Sequence, residues 1–285
     1  MRFSRDPIIH DPCGRKHMIH EDLVLYERKG HIATITLNEP HTRNALHQGG
    51  LIDALDDMLA RLAGDAEARV AILTGAGSAF SAGANLKQMT GEQGIWSKRP
   101  LDMLAFYRDG IQRIPLALEK LEIPIIAAVN GPAYGAGCDI SCMCDIRLAS
   151  ATAVFCEVFA RLGVVSGDGG AWYIPRVIGA SRFAEMAFTG DPIDAEEALR
   201  IGLVSKVVPP EALMDEAMHL AGRIARNAPQ AVRMTKRLLR EGRHQRIDSH
   251  LEMAAAVMAL CHTTEDNREG MSAALEKRTP LFQGK

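Results

Sequence analysis

No apolar run in this chain reaches the roughly 20 residues a membrane-spanning helix needs, so no membrane protein is expected. The N-terminus has charges but no continuous apolar stretch, which argues against a secretory signal. Neither charge sign dominates: 33 basic against 35 acidic residues leave a formal net charge of −2. General binding to nucleic acid or to an anionic membrane is therefore not expected. Cysteine is sparse, with six in 285 residues. Cys138, Cys142, Cys144 and Cys156 sit in apolar runs, as buried thiols of a reducing, cytoplasmic compartment would, not as a disulfide framework. Cys142-x-Cys144 lacks a second ligand pair, so no metal site is expected. The three histidines His10, His17 and His20 fit a flexible arm better than a metal site. No internal repeat is present.

What the chain does have is 47% hydrophobic content, enough for a sizeable core. Its organising stretch is Ile123 to Ile146. Ile125 to Val129 is an uncharged strand, broken at Asn130-Gly131-Pro132. Gly135-Ala136-Gly137 then opens a buried helix, Cys138 to Cys144, that carries a single acid, Asp139. A strand feeding a small-residue turn and a helix start presents unpaired N–H groups, which suit an oxygen that gains negative charge. Val70 to Thr74 followed by Gly75 to Lys87 has the same character. Each loop taken alone is also a plain αβ connection whose glycines supply positive φ.

Three segments carry a resemblance. Phe80-Ser81-Ala82-Gly83-Ala84-Asn85-Leu86-Lys87 resembles the F-x-A-G-A-D-hydrophobic-K signature of the crotonase (enoyl-CoA hydratase/isomerase) superfamily. Asn130-Gly131 through Gly135-Ala136-Gly137-Cys138-Asp139, with Cys144-Asp145-Ile146-Arg147, resembles its second signature. Leu37-Asn38-Glu39-Pro40 with Arg43-Asn44-Ala45-Leu46 resembles its L-N-R-P-x-x-R-N-A-L segment. The likeness runs in order from about Leu23 to Phe282.

The pattern of elements divides the chain into a flexible arm over 1–21, a core over 22–209 and a helical region over 210–285. Leu23 to Glu27 and Ile32 to Leu37 alternate as a hairpin around Lys29-Gly30. Ala45 to Leu62 and Ile111 to Leu121 have helical spacing. Residues 88–110 fit a mobile cover over a pocket or an ordinary surface helix. Asp194 and Glu197 make a capping box for a helix over Ala195 to Ile201. After Pro210, four helices are expected, near 211–226, 229–241, 248–263 and 266–277. The resemblance implies an α/β fold: a crotonase-like spiral of ββα units followed by a C-terminal helical trimerisation region, in a homotrimer or a dimer of trimers.

It also implies an acyl-CoA substrate, with no cofactor beyond the coenzyme A of the thioester. Enolate chemistry puts negative charge on the thioester oxygen, and each backbone N–H donor there is worth roughly 3 kcal/mol. The matching donors are Ala84 and Ala136. CoA is expected along Thr42, Arg43 and Ala45 and along Ala82, Gly83, Ala84, Asn85 and Leu86. Arg43, Lys87 and Lys277 are phosphate partners or ordinary surface cations. Asn85 stands where the family has aspartate. Lys277 to Phe282 resembles the family's closing segment, which packs near a CoA site, often that of a neighbouring subunit.

Hydratases of the family use two glutamates. The first corresponds to Asp139, here either an acid/base or a helix-capping acid. The second falls on Phe159, which cannot transfer a proton. Glu157 is two residues earlier and shares a strand face with Phe159 if the strand continues, but the match does not assign it. Ser166-Gly167-Asp168-Gly169-Gly170 resembles the S-x-D-G-G segment of the dihydroxynaphthoyl-CoA synthase branch, where that aspartate lies in the site. Dienoyl-CoA isomerases pair an aspartate at the Asp139 position with a loop acid that aligns with Gly167. Asp168 is thus a second acid or a turn residue capping the next helix. One acid supports double-bond isomerisation; Asp139 and Asp168 together support hydration. The alternatives are another reaction on this scaffold (thioester hydrolysis, decarboxylation or carbon–carbon cleavage of a branched or aromatic acyl-CoA) and a non-catalytic CoA-ester binder.

Overall fold

The computed structural model describes residues 8–10, 16–18, 22–90 and 94–285. Ile8–His10 (β1) and Lys16–Met18 (β2) pair as a short antiparallel ladder; the rest of the N-terminal arm, His20 included, lies outside the described residues. Val24–Lys29 (β3) and Ile32–Leu37 (β4) form the expected hairpin, turning at Gly30. Leu51–Gly64 is α1 and Val70–Gly75 is β5. Helical spacing predicts a start at Ala45, six residues early. Ala45 and Leu46 are instead held extended against the segment around Ala84, through a parallel bridge between Leu46 and Ala84.

Leu86–Thr90 (α2), Pro100–Arg108 (α3) and Arg113–Lys120 (α4) lead to Ile125–Val129 (β6). Of the candidate cover, residues 91–93 lie outside the described residues. Next come Ala133–Tyr134 (β7), Ala136–Met143 (α5), Ile146–Ser150 (β8) and Val154–Cys156 (β9). A 3-10 turn at Val158–Leu162 precedes Gly170–Ile178 (α6), Ala180–Thr189 (α7), Ile193–Asp194 (β10), Ala195–Arg200 (α8) and Lys206–Val208 (β11). Asp194 caps α8 by accepting from the Glu197 N–H, 2.8 Å away. The Glu197 side chain does not complete the box; it pairs with Arg200. Leu213–Ala225 (α9), Pro229–Glu241 (α10), Ile247–His262 (α11) and Glu265–Glu276 (α12) are the four expected terminal helices.

Six strands form the main sheet in the order β11-β8-β6-β5-β4-β3, parallel except for the β3–β4 pair. A parallel sheet needs both faces covered, and alternation along β5 and β6 supplies two apolar faces. Ala71, Leu73, Ile125 and Ala127 join the larger core with α1, α4 and α5. Val70, Ile72, Ile126 and Ala128 face Leu213, Ala217, Ala221 and Ala225, one stripe of α9 at four-residue spacing. β7, β9 and β10 make a second, smaller sheet. Bridges continue it through Ser81 to Ala133, so each turn of the chain adds one strand to the main sheet and one short extended segment beside it. That is the expected spiral, and its inner edge gathers the loops after β5, β6 and β9.

Candidate active site

One buried side chain ties the first two of these loops together. Asn44, in the left-handed conformation at φ 56°, donates from its amide to the Ala76 and Ala79 carbonyls at 2.9 Å each and to Phe80 at 3.2 Å. Its carbonyl oxygen accepts from the Glu39 N–H. Backbone bonds then run from Ala82 N–H to Arg43 O, from Leu46 N–H to Gly83 O and from Asn85 N–H to Leu46 O. The segment from Arg43 to Leu46 is thus held against the segment from Ala82 to Asn85. The Thr42 hydroxyl is bonded within its own turn, to Glu39. Asn85 accepts from the Gln88 N–H at the start of α2. Arg43 and Lys87 are exposed. Lys277 stands apart, at the C-terminal cap of α12.

The two candidate donors come together where Gly83 crosses the turn before α5. Gly83 has φ +78°, and a side chain there would begin 2.4 Å from the Tyr134 carbonyl oxygen, inside contact distance. The same point is 3.5 Å from the Ala136 nitrogen. Glycine thus lets the backbone just before Ala84 lie against the first residue of α5. Ala136 is at the N-terminus of that helix, where N–H groups have no intrahelical acceptor and the helix dipole favours negative charge.

Every residue of α5 is buried, so its acid is expensive to keep. Asp139 is fully buried, and neither carboxyl oxygen has a hydrogen-bond partner among the described residues. Such a group avoids ionising. Its pKa is pushed well above the usual carboxylate range by burial first, then by the Glu157 and Asp168 carboxyls beside it. Asp168, at the foot of the loop before α6, is also buried, which pushes its pKa up to about 6. Tyr107 of α3 feels the Asp168 charge, and the nearby Gln112 amide donates to the Gly167 carbonyl at 3.0 Å. The end of α3 and the start of α4 therefore close over this loop. Asp139 and Asp168, the two predicted acids, are both buried, and the charge of Asp168 reaches Asp139.

Glu157 is the residue the sequence left unassigned. Strand alternation puts it on a face with Phe159, but β9 stops at Cys156 and the chain turns through the 3-10 segment. The two side chains separate. The Phe159 ring lies 3.5 Å from where a Gly135 side chain would begin, beside the candidate donor Ala136. Glu157 points inward, fully buried, against Asp139. The one signal for it was an acid directly after a buried strand. Asn44 was also visible within Arg43-Asn44-Ala45-Leu46, but its role needs the loop it bonds. Among the described residues, no three His, Cys, Asp or Glu side chains converge to hold a metal ion. Two surface cavities of about 300 and 260 Å³ lie elsewhere, against α12 and between α6 and α10.

A family model described as enoyl-CoA hydratase/isomerase matches residues 27–285. With that match, the chain belongs to the enoyl-CoA hydratase/isomerase family, within the crotonase superfamily, and is an enzyme of that family. The short-chain-enoyl-CoA hydratase of Clostridium acetobutylicum is 39% identical over 256 residues, covering 90% of this chain and 95% of that protein. The crotonyl-CoA hydratase of Syntrophomonas wolfei is 36% identical over 269 residues, covering 94% and 100%. The crystal structure of an enoyl-CoA hydratase from Bacillus anthracis superposes with a TM-score of 0.84 at 34% identity, covering 92% of this chain and 100% of that one.

Proposed function

We propose that this enzyme processes an enoyl-CoA thioester through an enolate, with the thioester oxygen held by the N–H groups of Ala84 and Ala136 and protons moved by Asp139. The observation that carries this reading is the placement of Asp139. It is an unpartnered, fully buried carboxyl three residues after Ala136, on the same helix start. A neutral carboxyl in an apolar site gives up stability, and acid–base work near neutral pH is the use that a raised proton affinity serves. The relatives are named as hydratases, which favours addition of water with Asp168 as the second acid. Phe159 favours the other reading, isomerisation, in which Asp139 alone removes a proton and returns it at another carbon.

CoA lies along Thr42, Arg43 and Ala45 and along Ala82 to Leu86, with the Arg43 and Lys87 cations free to meet its phosphates. Lys277 reaches a CoA only across a subunit contact. The enzyme works as a homotrimer or a dimer of trimers. The free, buried Cys138, Cys142, Cys144 and Cys156 fit a reducing, cytoplasmic setting. No described helix is long and apolar enough to cross a membrane. The test is turnover of crotonyl-CoA and a 3-enoyl-CoA in deuterated water by wild type, Asp139→Asn and Asp168→Asn. Hydration lost in both variants supports the two-acid reaction; bond migration that needs Asp139 alone supports isomerisation. Binding of CoA esters with turnover of neither substrate sinks both and points to another acyl-CoA reaction.

A further inference from the structure

Glu157 has no role in the reaction proposed above, yet it is held at considerable cost. It is fully buried, and both its carboxyl oxygens lack a hydrogen-bond partner among the described residues, as do both of Asp139. The two carboxyl groups are neighbours, and the Glu157 carboxyl adds to burial in pushing the Asp139 pKa up. The groups that face the pair do not neutralise it. They are Cys138 and Cys142 from α5, and Ser166 and Asp168 from the loop before α6. Backbone packing holds the pair from both sides. The Gly135 N–H donates to the Cys156 carbonyl at 2.8 Å, joining the end of β9 to the start of α5. On the other side, a side chain at Gly170 would begin 1.9 Å from an Asp139 oxygen.

We propose that Asp139 and Glu157 hold one proton between them, making Glu157 the positioning residue that orients Asp139 and sets its proton affinity. The inference rests on reading Asp139 as the acid/base. Two adjacent buried carboxylates repel strongly, and the Cys138 thiol and Ser166 hydroxyl that face Glu157 carry no charge to offset that. The shared proton supplies the missing donor: an O–H on one carboxyl bonds to an oxygen of the other, and with the proton on Glu157, Asp139 is the base. When Asp139 takes a proton from substrate carbon, the pair holds two protons; when Asp139 returns it, one remains. No other proton acceptor is consumed, and Phe159 is left free to wall the site.

Infrared spectroscopy of the purified enzyme near pH 8 reads the pair directly. An un-ionised carboxyl band is expected in wild type, and it is expected to vanish in Glu157→Gln and in Asp139→Asn. A pair titrates in two steps where a single carboxyl titrates in one. The kcat–pH profile of Glu157→Gln is therefore expected to lose its alkaline ionisation, with KM changed less than about twofold. A wild-type spectrum without the band, or a band and profile untouched by Glu157→Gln, overturns the proposal. The wild-type band needs no variant to fold. If no enoyl-CoA is turned over but the band is present, the function reading fails and the shared proton stands.

Discussion

Asp139 concentrates the conflict between stability and chemistry at the scale of one residue. A carboxyl whose folded pKa is raised stabilises the fold below its unfolded value and loses that contribution as pH climbs through the folded value. Asp139 and Glu157 are both raised, and Asp168 is raised to about 6. The melting temperature is therefore expected to fall between about pH 5 and pH 8. Asp139→Asn should flatten that fall and melt higher than wild type at about pH 8, because its amide donates to Glu157 without a charge. The same variant is expected to lose about 10²- to 10⁴-fold in kcat with little change in KM. A calorimetric scan at both pH values and a steady-state assay check the two halves of this prediction. A variant destabilised at every pH would mean that the buried carboxylate is structural.

Loop packing sets the outcome at the scale of elements. Gly83→Ala puts a methyl group 2.4 Å from the Tyr134 oxygen at a positive φ, so the crossing that brings the two loops together must shift. The expected loss in kcat/KM is about 10²-fold or more, the size associated with losing one oxyanion donor. Wild-type kcat/KM in that variant would argue against Ala84 and Ala136 as donors. Asn44→Ala strips partners from three loop carbonyls and from the Glu39 N–H. It is expected to cost about 1–3 kcal/mol, read as a drop in denaturant midpoint, and to raise KM for CoA esters by loosening Arg43 to Leu46.

The whole molecule leaves much apolar surface open at its C-terminal end. α11 buries no residue, and Ile247, Leu251 and Met258 lie along one exposed stripe of it. A stripe of this kind on a lone chain calls for a partner surface. The chain's own tail is already docked: the Asp266 carboxylate accepts from the N–H groups of Gln283 and Gly284, and Arg69 donates to the Phe282 carbonyl. Light scattering is expected to report a trimer or a multiple of it, and Leu251→Glu with Met258→Glu to report smaller species. A wild-type monomer would remove the basis for a Lys277 contact with a neighbouring CoA.

Local pattern alone determined much of this protein. The uncharged run Ile125 to Val129 reads as a strand buried on both faces, and apolar spacing after Pro210 marks the four terminal helices. The small-residue turns at Ala84 and Ala136 were legible for the same reason, since each is set by its own few residues. Sequence also marked Asp139 and Asp168 as acids. Three matters waited on tertiary structure, because each depends on residues far apart in the chain. Ala45 to Gly50 gave up helix for a bridge to the segment after β5. Asn44 gained its meaning from carbonyls more than thirty residues away. Glu157 turned from an unassigned acid into the partner of Asp139, because β9 ends one residue before it and the chain swings Phe159 aside. Proton affinity is a property of surroundings, and only the fold supplies those.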